Sequence, residues 1–237
     1  MPADLSAAAL RALVRRHEAP PHAPDADSQR LRTELIGLRD RLLERHGFDT
    51  LIGRGPGHLR LLNQVRAAAA TTVPVLVVGE PGTGKRLVAR TIHQQGSHSQ
   101  ALLLSFDCAA LPPEDLERDL FGLDAGRGAS GMALPGGSTV LLRDVLELPR
   151  DLQGRLASAL DCGVRLLATT TGEPERARLD DRLRPDLYFA LTTLVVRLAP
   201  LRDRLDELPL LAQHLLERAN LRGPRRRSGF SPEAMDA

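Results

Sequence analysis

The feature that most constrains this fold is a glycine-rich segment between an apolar run and a helical pattern. The apolar run covers residues 73–78, three glycines follow it, and Lys85 begins a stretch with helical spacing that reaches residue 94. Glycines allow backbone N–H groups to turn inward around a phosphate, and a helix start adds partial positive charge. A lysine at this point reaches the outer phosphates of a nucleotide. The context therefore predicts a phosphate-binding loop.

The composition of the chain also supports a specific role for Lys85. The chain has 32 basic residues, of which Lys85 is the single lysine. A drift toward arginine across the sequence explains why lysine is so rare. The alternative to a functional lysine is that this one remained by chance. However, this lysine stands where a compact, flexible ammonium does what a planar guanidinium does poorly.

Charge and cysteine content exclude several protein classes. The formal net charge is only +2, which gives no general argument for binding nucleic acid or a membrane. No apolar run is long enough to span a bilayer. The two cysteines do not form a disulfide framework and predict reduced thiols. We expect a cytoplasmic protein with no membrane partner and no protein-built metal site.

From residue 48 onward, apolar strands alternate with helical patterns, which predicts an α/β fold with a parallel sheet covered on both faces. The predicted strands cover residues 73–78, 101–106, 139–142, 164–169 and 194–198. The predicted helices cover residues 85–94, 113–120, 150–160 and 204–221. We divide the chain into N-terminal helices and a linker (1–47), an α/β nucleotide-binding domain (48–203) and a partial helical lid (204–237).

The N-terminal region contains a predicted helix over residues 3–18, a proline-rich linker and a second predicted helix over residues 28–46. Leucines on the second helix recur at alternating steps of four and three, as in a coiled-coil seam. Two heptads favour a helix packed on the next domain over an independent coiled coil.

Several segments resemble the AAA+ ATPase domain of bacterial sigma-54-dependent transcription activators, the enhancer-binding proteins. Residues 79–85 resemble that family's GESGTGKE loop, and residues 106–111 resemble its FVxVNCAAL segment. Residues 146–149 look like its GELP. Residues 184–189 and 200–204 resemble FREDLYYRL and PPLRER. The resemblance covers about residues 48–237. It implies an AAA+ P-loop NTPase with a five-stranded parallel sheet and the start of a helical lid.

The resemblance also implies ATP or ADP as the ligand, with the adenine beside a segment similar to the family's IIG. The implied binding residues are Leu51, Ile52, Gly53, Gly79, Glu80, Pro81, Gly82, Thr83, Gly84, Lys85, Arg86 and Leu87.

The departures from the family fall on the positions that carry hydrolysis. The family's Asp that holds Mg²⁺ and its Glu that polarises water correspond to Arg143 and Asp144. Mg²⁺ remains possible, but its usual protein ligand is replaced by Arg143, whose guanidinium would itself approach the phosphates. A register shifted by one would make Asp144 the metal ligand, but it breaks the match at residues 146–149.

Further implied roles have also changed. The Asn that restrains the catalytic Glu corresponds to Asp107, and the sensor Asn corresponds to Thr171. Of the two arginines that reach a neighbouring subunit's site, Arg184 is present and the other position is Ala190. The candidate catalytic residues are therefore Asp144 and Arg184.

We consider three functions. The first is a degenerate AAA+ module that binds ATP or ADP, hydrolyses it weakly or not at all, and regulates transcription or oligomerisation. The second is a slow ATPase that uses Asp144. The third is an interaction module with a vestigial loop. The resemblance implies partner subunits of the same or a related AAA+ chain, in a ring or dimer, and we find no DNA-binding domain in this sequence.

We do not expect contact with sigma-54. The family's GAFTGA loop follows the segment that resembles residues 120–122, yet residues 123–135 lack its Phe-Thr and are too short for the helix-loop-helix that carries it. A second, supporting hairpin is also missing, because only residues 161–163 separate a predicted helix from the next strand.

Overall fold

A computed structural model of the protein describes residues 47–122, 137–160, 164–222, 227, 229–231 and 234. The predicted helices at 3–18 and 28–46, the connection at 123–135 and the short connection at 161–163 lie outside these residues. Within the described ranges, no helix combines the length and apolar composition that crossing a bilayer requires.

Five parallel strands form one sheet in the order β2-β3-β4-β1-β5. The strands are β1 (Val75–Val78), β2 (Leu103–Asp107), β3 (Thr139–Arg143), β4 (Arg165–Thr170) and β5 (Val195–Arg197). The helices are α1 (Gly55–Ala69), α2 (Lys85–Gln94), α3 (Pro113–Phe121), α4 (Arg150–Leu160), α5 (Pro174–Leu179), α6 (Pro185–Leu191) and α7 (Leu208–Arg222). Short 3₁₀ turns occupy Phe48–Thr50, Val145–Glu147, Leu201–Asp203 and Leu205–Glu207.

Helices cover both faces of the sheet. In β1, Val75 and Val77 join a core with α1 and α2, whereas Leu76 and Val78 join a core with α3, α4 and α6. Successive strand residues point to opposite faces, so a strand buried on both sides is apolar throughout. The predicted parallel five-stranded α/β fold is confirmed.

Element bounds were predicted to within about two residues in most cases. Helices Lys85–Gln94 and Arg150–Leu160 have their predicted limits. β1 begins at Val75 rather than residue 73, because Pro74 offers no N–H to a neighbouring strand. The predicted lid helix at 204–221 begins at Leu208 instead, because Pro209 is tolerated only in a helix's first turn.

The two short helices α5 and α6, like α1, were not predicted as helices with bounds from the sequence. Each begins with a proline at its first turn, Pro174 and Pro185, where the absent N–H is not needed. Each has only six or seven residues, too short for a clear helical period. The initial proline was the sequence feature that could have indicated the start of each helix.

Candidate nucleotide-binding site

The loop between β1 and α2 has the backbone conformation that its glycines predict. Gly82 and Gly84 have φ of 81° and 96°, in the left-handed region that glycine adopts readily. Gly79 has no room for a side chain, because a Cβ there would lie 2.8 Å from Thr83 Oγ1. Thr83 Oγ1 in turn donates to the Glu80 carbonyl at 2.8 Å. The loop is therefore compact, and it ends at the start of α2.

Gly84 is the residue before the first turn of α2, and no side chain caps the N–H groups there. The first four N–H groups of a helix lack intrahelical acceptors and attract anions. Together with the glycine conformations, this end of α2 can take a phosphate group.

The ammonium of Lys85 folds back over the loop. Its Nζ donates to the carbonyls of Gly79 at 2.7 Å and Glu80 at 2.9 Å. Burial lowers the pKa of Lys85 below its usual value, and the negative charge of Asp144 partly offsets this. The cation is thus already inside the loop, bonded to acceptors that phosphate oxygens can replace.

Two arginines from the lid side contact the same loop. Arg202 pairs with the Glu80 carboxylate, with Nη1 and Oε2 2.7 Å apart. Arg204 donates from Nη2 to the Thr83 carbonyl at 3.3 Å. Residues 200–204 resemble a family segment, but that resemblance implied no role for Arg202 or Arg204. Their separation of about 120 residues from the loop gave no local signal of these contacts.

The predicted adenine segment lies beside α1 and the lid. Leu51 is buried in the core with α1 and α2. Gly53 has no space for a side chain, because a Cβ would lie 2.3 Å from His58 Nδ1 and 2.9 Å from Glu207 Oε1. Glu207 is itself buried and accepts from the Arg54 N–H at 3.4 Å. His58 and Glu207 were not predicted as site residues.

A cavity of about 320 Å³ opens between α1 and the lid. His58, Leu61, Leu198, Arg204 and Glu207 are among the residues that line it. Its volume is at the lower end of the range for small-molecule sites. Because Arg204 also contacts the phosphate loop, the cavity and the loop are adjacent.

At the carboxyl ends of β2 and β3, Arg143 forms an ion pair with Asp107. Arg143 Nη2 lies 3.0 Å from Asp107 Oδ2, and the two residues are register partners in the sheet. The other oxygen, Oδ1, accepts from the Ala109 N–H at 3.2 Å. Both carboxylate oxygens of Asp107 are therefore engaged.

This donor set does not suit a protein-held divalent cation. Mg²⁺ in nucleotide sites is bound by carboxylates together with the phosphates, whereas Arg143 brings positive charge. In the part of the chain that the structure describes, no group of three or more His, Cys, Asp or Glu is placed to hold a metal. A magnesium ion at this site would depend on phosphate and water oxygens.

Asp144 follows β3 in a left-handed conformation, with φ 49° and ψ 55°. Its N–H donates to Thr169 Oγ1 at 3.3 Å. Its Oδ1 is buried and has no hydrogen-bond partner among the described residues. Asp144 is close enough to Lys85 for its charge to raise the pKa of that lysine. The structure thus brings these two predicted site residues together.

The thiol of Cys108 lies next to this acidic group. Burial, together with the charges of Asp107, Asp144 and Glu147, raises its pKa to about 12. The thiol therefore stays neutral at physiological pH and is not a nucleophile.

Arg184 lies apart from the phosphate loop. It precedes α6, on the sheet face opposite α2, and its Nη2 pairs with Asp186 Oδ2 at 2.8 Å. Its guanidinium packs over Gly154 of α4, where a Cβ would lie 3.1 Å from the Arg184 Cζ. The side chain is partly exposed. The structure does not bring Arg184 together with Asp144 in one chain.

The other predicted site positions differ in exposure. Glu80, Pro81, Gly82 and Arg86 are exposed at the loop, whereas Leu87 packs against the core with α1. Thr171 is exposed just after β4, and Ala190 lies within α6.

Comparison with known proteins identifies relatives of the chain. The family model described as the sigma-54 interaction domain matches residues 51–197. The transcriptional regulatory protein XylR from Pseudomonas putida is 32% identical over 228 residues. That match covers 87% of this chain and 40% of XylR.

Two solved structures share the fold. NtrX from Brucella abortus in complex with ADP has a TM-score of 0.72 at 24% identity. The match covers 98% of this chain and 54% of the NtrX chain. The P-loop NTPase domain of the sigma-54 transport activator from E. coli has a TM-score of 0.50 at 23% identity, covering 63% of this chain and 99% of that domain.

At these identities the structural matches show the fold alone, which is that of AAA+ P-loop NTPases. The family model covers more than half of the chain, including the phosphate loop and all five strands. The chain therefore belongs to the sigma-54 interaction domain family.

Proposed function

We propose that this chain binds ATP or ADP at residues 79–85 and hydrolyses it weakly or not at all. It would serve as a regulatory or oligomerising module in transcription control. One observation carries the proposal: Lys85 and the glycines form a compact loop, while Arg143 is paired with Asp107 at the position where the family resemblance implies a metal ligand.

Three features support nucleotide binding. The glycines have the required conformations, Lys85 lies inside the loop, and a cavity of about 320 Å³ adjoins it. NtrX, which shares the fold, was crystallised with ADP. Charge-assisted hydrogen bonds from Lys85 to phosphate would be the strongest single contact.

Impaired hydrolysis follows from the chemistry of phosphoryl transfer, which depends on positioning and on neutralising phosphate charge. Arg143 cannot coordinate Mg²⁺. Asp144 is one methylene shorter than the Glu expected at a water-activating position. Thr171 stands for an asparagine amide and Ala190 for an arginine guanidinium that the family resemblance implies.

A slow ATPase is the second candidate, and one observation favours it. Asp144 has a buried Oδ1 without a partner among the described residues, close to Lys85. Such an oxygen could accept a proton from a water molecule. A pure interaction module is less well supported, because the loop retains every group that phosphate binding requires.

Membership of the sigma-54 interaction domain family and the likeness to the regulator XylR support a role in transcription control. The partly exposed Arg184, on the opposite face from its own phosphate loop, supports assembly with subunits of the same or a related AAA+ chain. Sigma-54 itself is not a partner in this proposal, because both loop segments for that contact are shortened in the sequence.

The experiment is calorimetric titration of ATP and ADP, with and without Mg²⁺, followed by a steady-state phosphate-release assay. Binding without release above background supports the proposal. Binding with slow, Mg²⁺-dependent release that is lost in Asp144→Asn supports the slow ATPase. No binding of either nucleotide supports the interaction module and contradicts both others.

A further inference from the structure

We infer that Asp107 regulates this site by competing with the nucleotide for Arg143. In the free protein the carboxylate holds the guanidinium, and the terminal phosphate of ATP takes it over without a metal ion. The inference rests on the proposed nucleotide binding, and it names Asp107 as the residue that sets the affinity for ATP.

Asp107 and Arg143 lie on the same side of the sheet as the phosphate-binding helix. Leu103 of β2 and Leu141 of β3 pack in the core with α2. Asp107 is four residues after Leu103, and Arg143 is two residues after Leu141. Because side chains alternate along a strand, both charged groups share the α2 face. They also stand at the carboxyl ends of their strands, where the loop lies.

The guanidinium is within reach of a phosphate chain held by that loop. β3 is two positions from β1 in the sheet, which corresponds to roughly 10 Å between the strand axes. The extended Arg143 side chain and the length of a triphosphate together span such a gap. Charges at the end of β3 already act on the loop, since the negative charge of Asp144, the residue after Arg143, raises the pKa of Lys85.

The ion pair is suited to exchange because the two partners are held differently. Asp107 is fixed through Oδ1 by the Ala109 N–H. Arg143 has 38% of its side chain exposed and can rotate away, whereas Asp107 has 22% exposed. Partly exposed ion pairs are weak, so a phosphate that carries more negative charge outcompetes one carboxylate.

Asp107→Asn tests this directly. The Asn carbonyl oxygen retains the acceptor for Ala109, while the charge that holds Arg143 is removed. We expect the Kd for ATP in EDTA to fall about three- to fivefold, the size of a partly exposed ion pair. The Kd for ADP, which lacks the terminal phosphate, should change by less than about twofold.

A double-mutant cycle isolates the competition. Calorimetry in EDTA compares the wild-type protein, Asp107→Asn, Arg143→Ala and the double variant, each with its melting temperature measured. The tightening caused by Asp107→Asn should disappear in the Arg143→Ala background. Glu147→Gln is the matched control, because it removes a nearby negative charge that is paired with Arg182 instead.

Two results would overturn the inference: no tightening in Asp107→Asn, or equal tightening with and without Arg143. If Asp107→Asn does not fold, Asp107→Ser supplies the same test, since a serine hydroxyl can make the same local turn contact. Absence of ATP binding in the wild-type protein would instead refute the proposed function, so the two failures are distinguishable.

Discussion

At the residue scale, Lys85 is the side chain that we propose contacts the nucleotide phosphates most strongly, since its ammonium already lies inside the loop. We predict that Lys85→Ala weakens ATP and ADP binding by about tenfold or more, because a hydrogen bond to a charged group contributes about 1.5–3 kcal/mol. Calorimetric titration measures the change. Arg176→Ala is a charge-matched control on α5, where the side chain is 86% exposed. Unchanged affinity in Lys85→Ala would refute the assignment of the phosphate loop.

Arg143 and Asp144 together define the second prediction at this scale. The double change Arg143→Asp with Asp144→Glu should make ATP binding depend on Mg²⁺, because it would place a carboxylate at the predicted metal-ligand position. Titrations with Mg²⁺ and with EDTA measure the dependence. Steady-state turnover should remain low, since Thr171 and Ala190 are unchanged.

The single variant Arg143→Ala is the control, and it should gain no metal dependence. The outcome that would contradict this prediction is measured on the unmodified protein. A Mg²⁺-dependent turnover of about one per second or more, typical of working enzymes, would show that Arg143 and Asp144 are wrongly aligned with the metal and water positions.

At the element scale, Gln153 joins α4 to the segment before α6. Its side chain is fully buried. Nε2 donates to the carbonyls of Leu148 at 2.8 Å and Arg182 at 2.9 Å, and Oε1 accepts from the Arg184 N–H at 2.9 Å. One amide therefore joins the segment before α4 to the segment before α6, which carries Arg184.

We predict that Gln153→Leu lowers the free energy of unfolding by about 3 kcal/mol, because three backbone groups lose their partners in a buried site. Urea unfolding measures the loss. Gln213→Leu, on the exposed surface of α7, is the control and should change stability by less than about 0.5 kcal/mol. A comparable effect of both substitutions would contradict the role of Gln153 as a buried link.

At the scale of the whole molecule, the connections between elements decide which partners the domain can meet. α3 ends at Phe121 and β3 begins at Thr139, while α4 ends at Leu160 and β4 begins at Arg165. By residue count, both connections are too short for the two insertions that the family resemblance implies, so we predict that both insertions are absent. Surface loops tolerate deletion, so one loss alone would mean little. Two losses on one working surface favour loss of the sigma-54 contact.

We therefore predict that the purified protein forms no complex with sigma-54 on a sizing column, with ATP or with a transition-state mimic. A family member that carries the GAFTGA loop serves as the positive control. Co-elution of this chain with sigma-54 would contradict the prediction. Co-elution would indicate that another surface, such as the predicted helix over residues 28–46, makes the contact with sigma-54.

The sequence by itself determined the parallel sheet, the compact glycine-rich loop before α2 and most element bounds, because these are local patterns. A strand buried on both faces must be continuously apolar, and a loop around phosphate must carry glycines ahead of a helix. Helix Lys85–Gln94 and the conformations of Gly82 and Gly84 follow from a few adjacent residues.

Only the tertiary structure decided which distant residues complete the site. Parallel register sets Asp107 beside Arg143. The chain after β5 brings Arg202 to Glu80 and Glu207 to the space beside Gly53. These partners are from tens to somewhat more than a hundred positions apart, so no local sequence pattern predicts their contacts. The sequence predicted that a positive charge, Arg143, stands in place of a metal ligand. The packing of two strands showed which carboxylate that charge contacts.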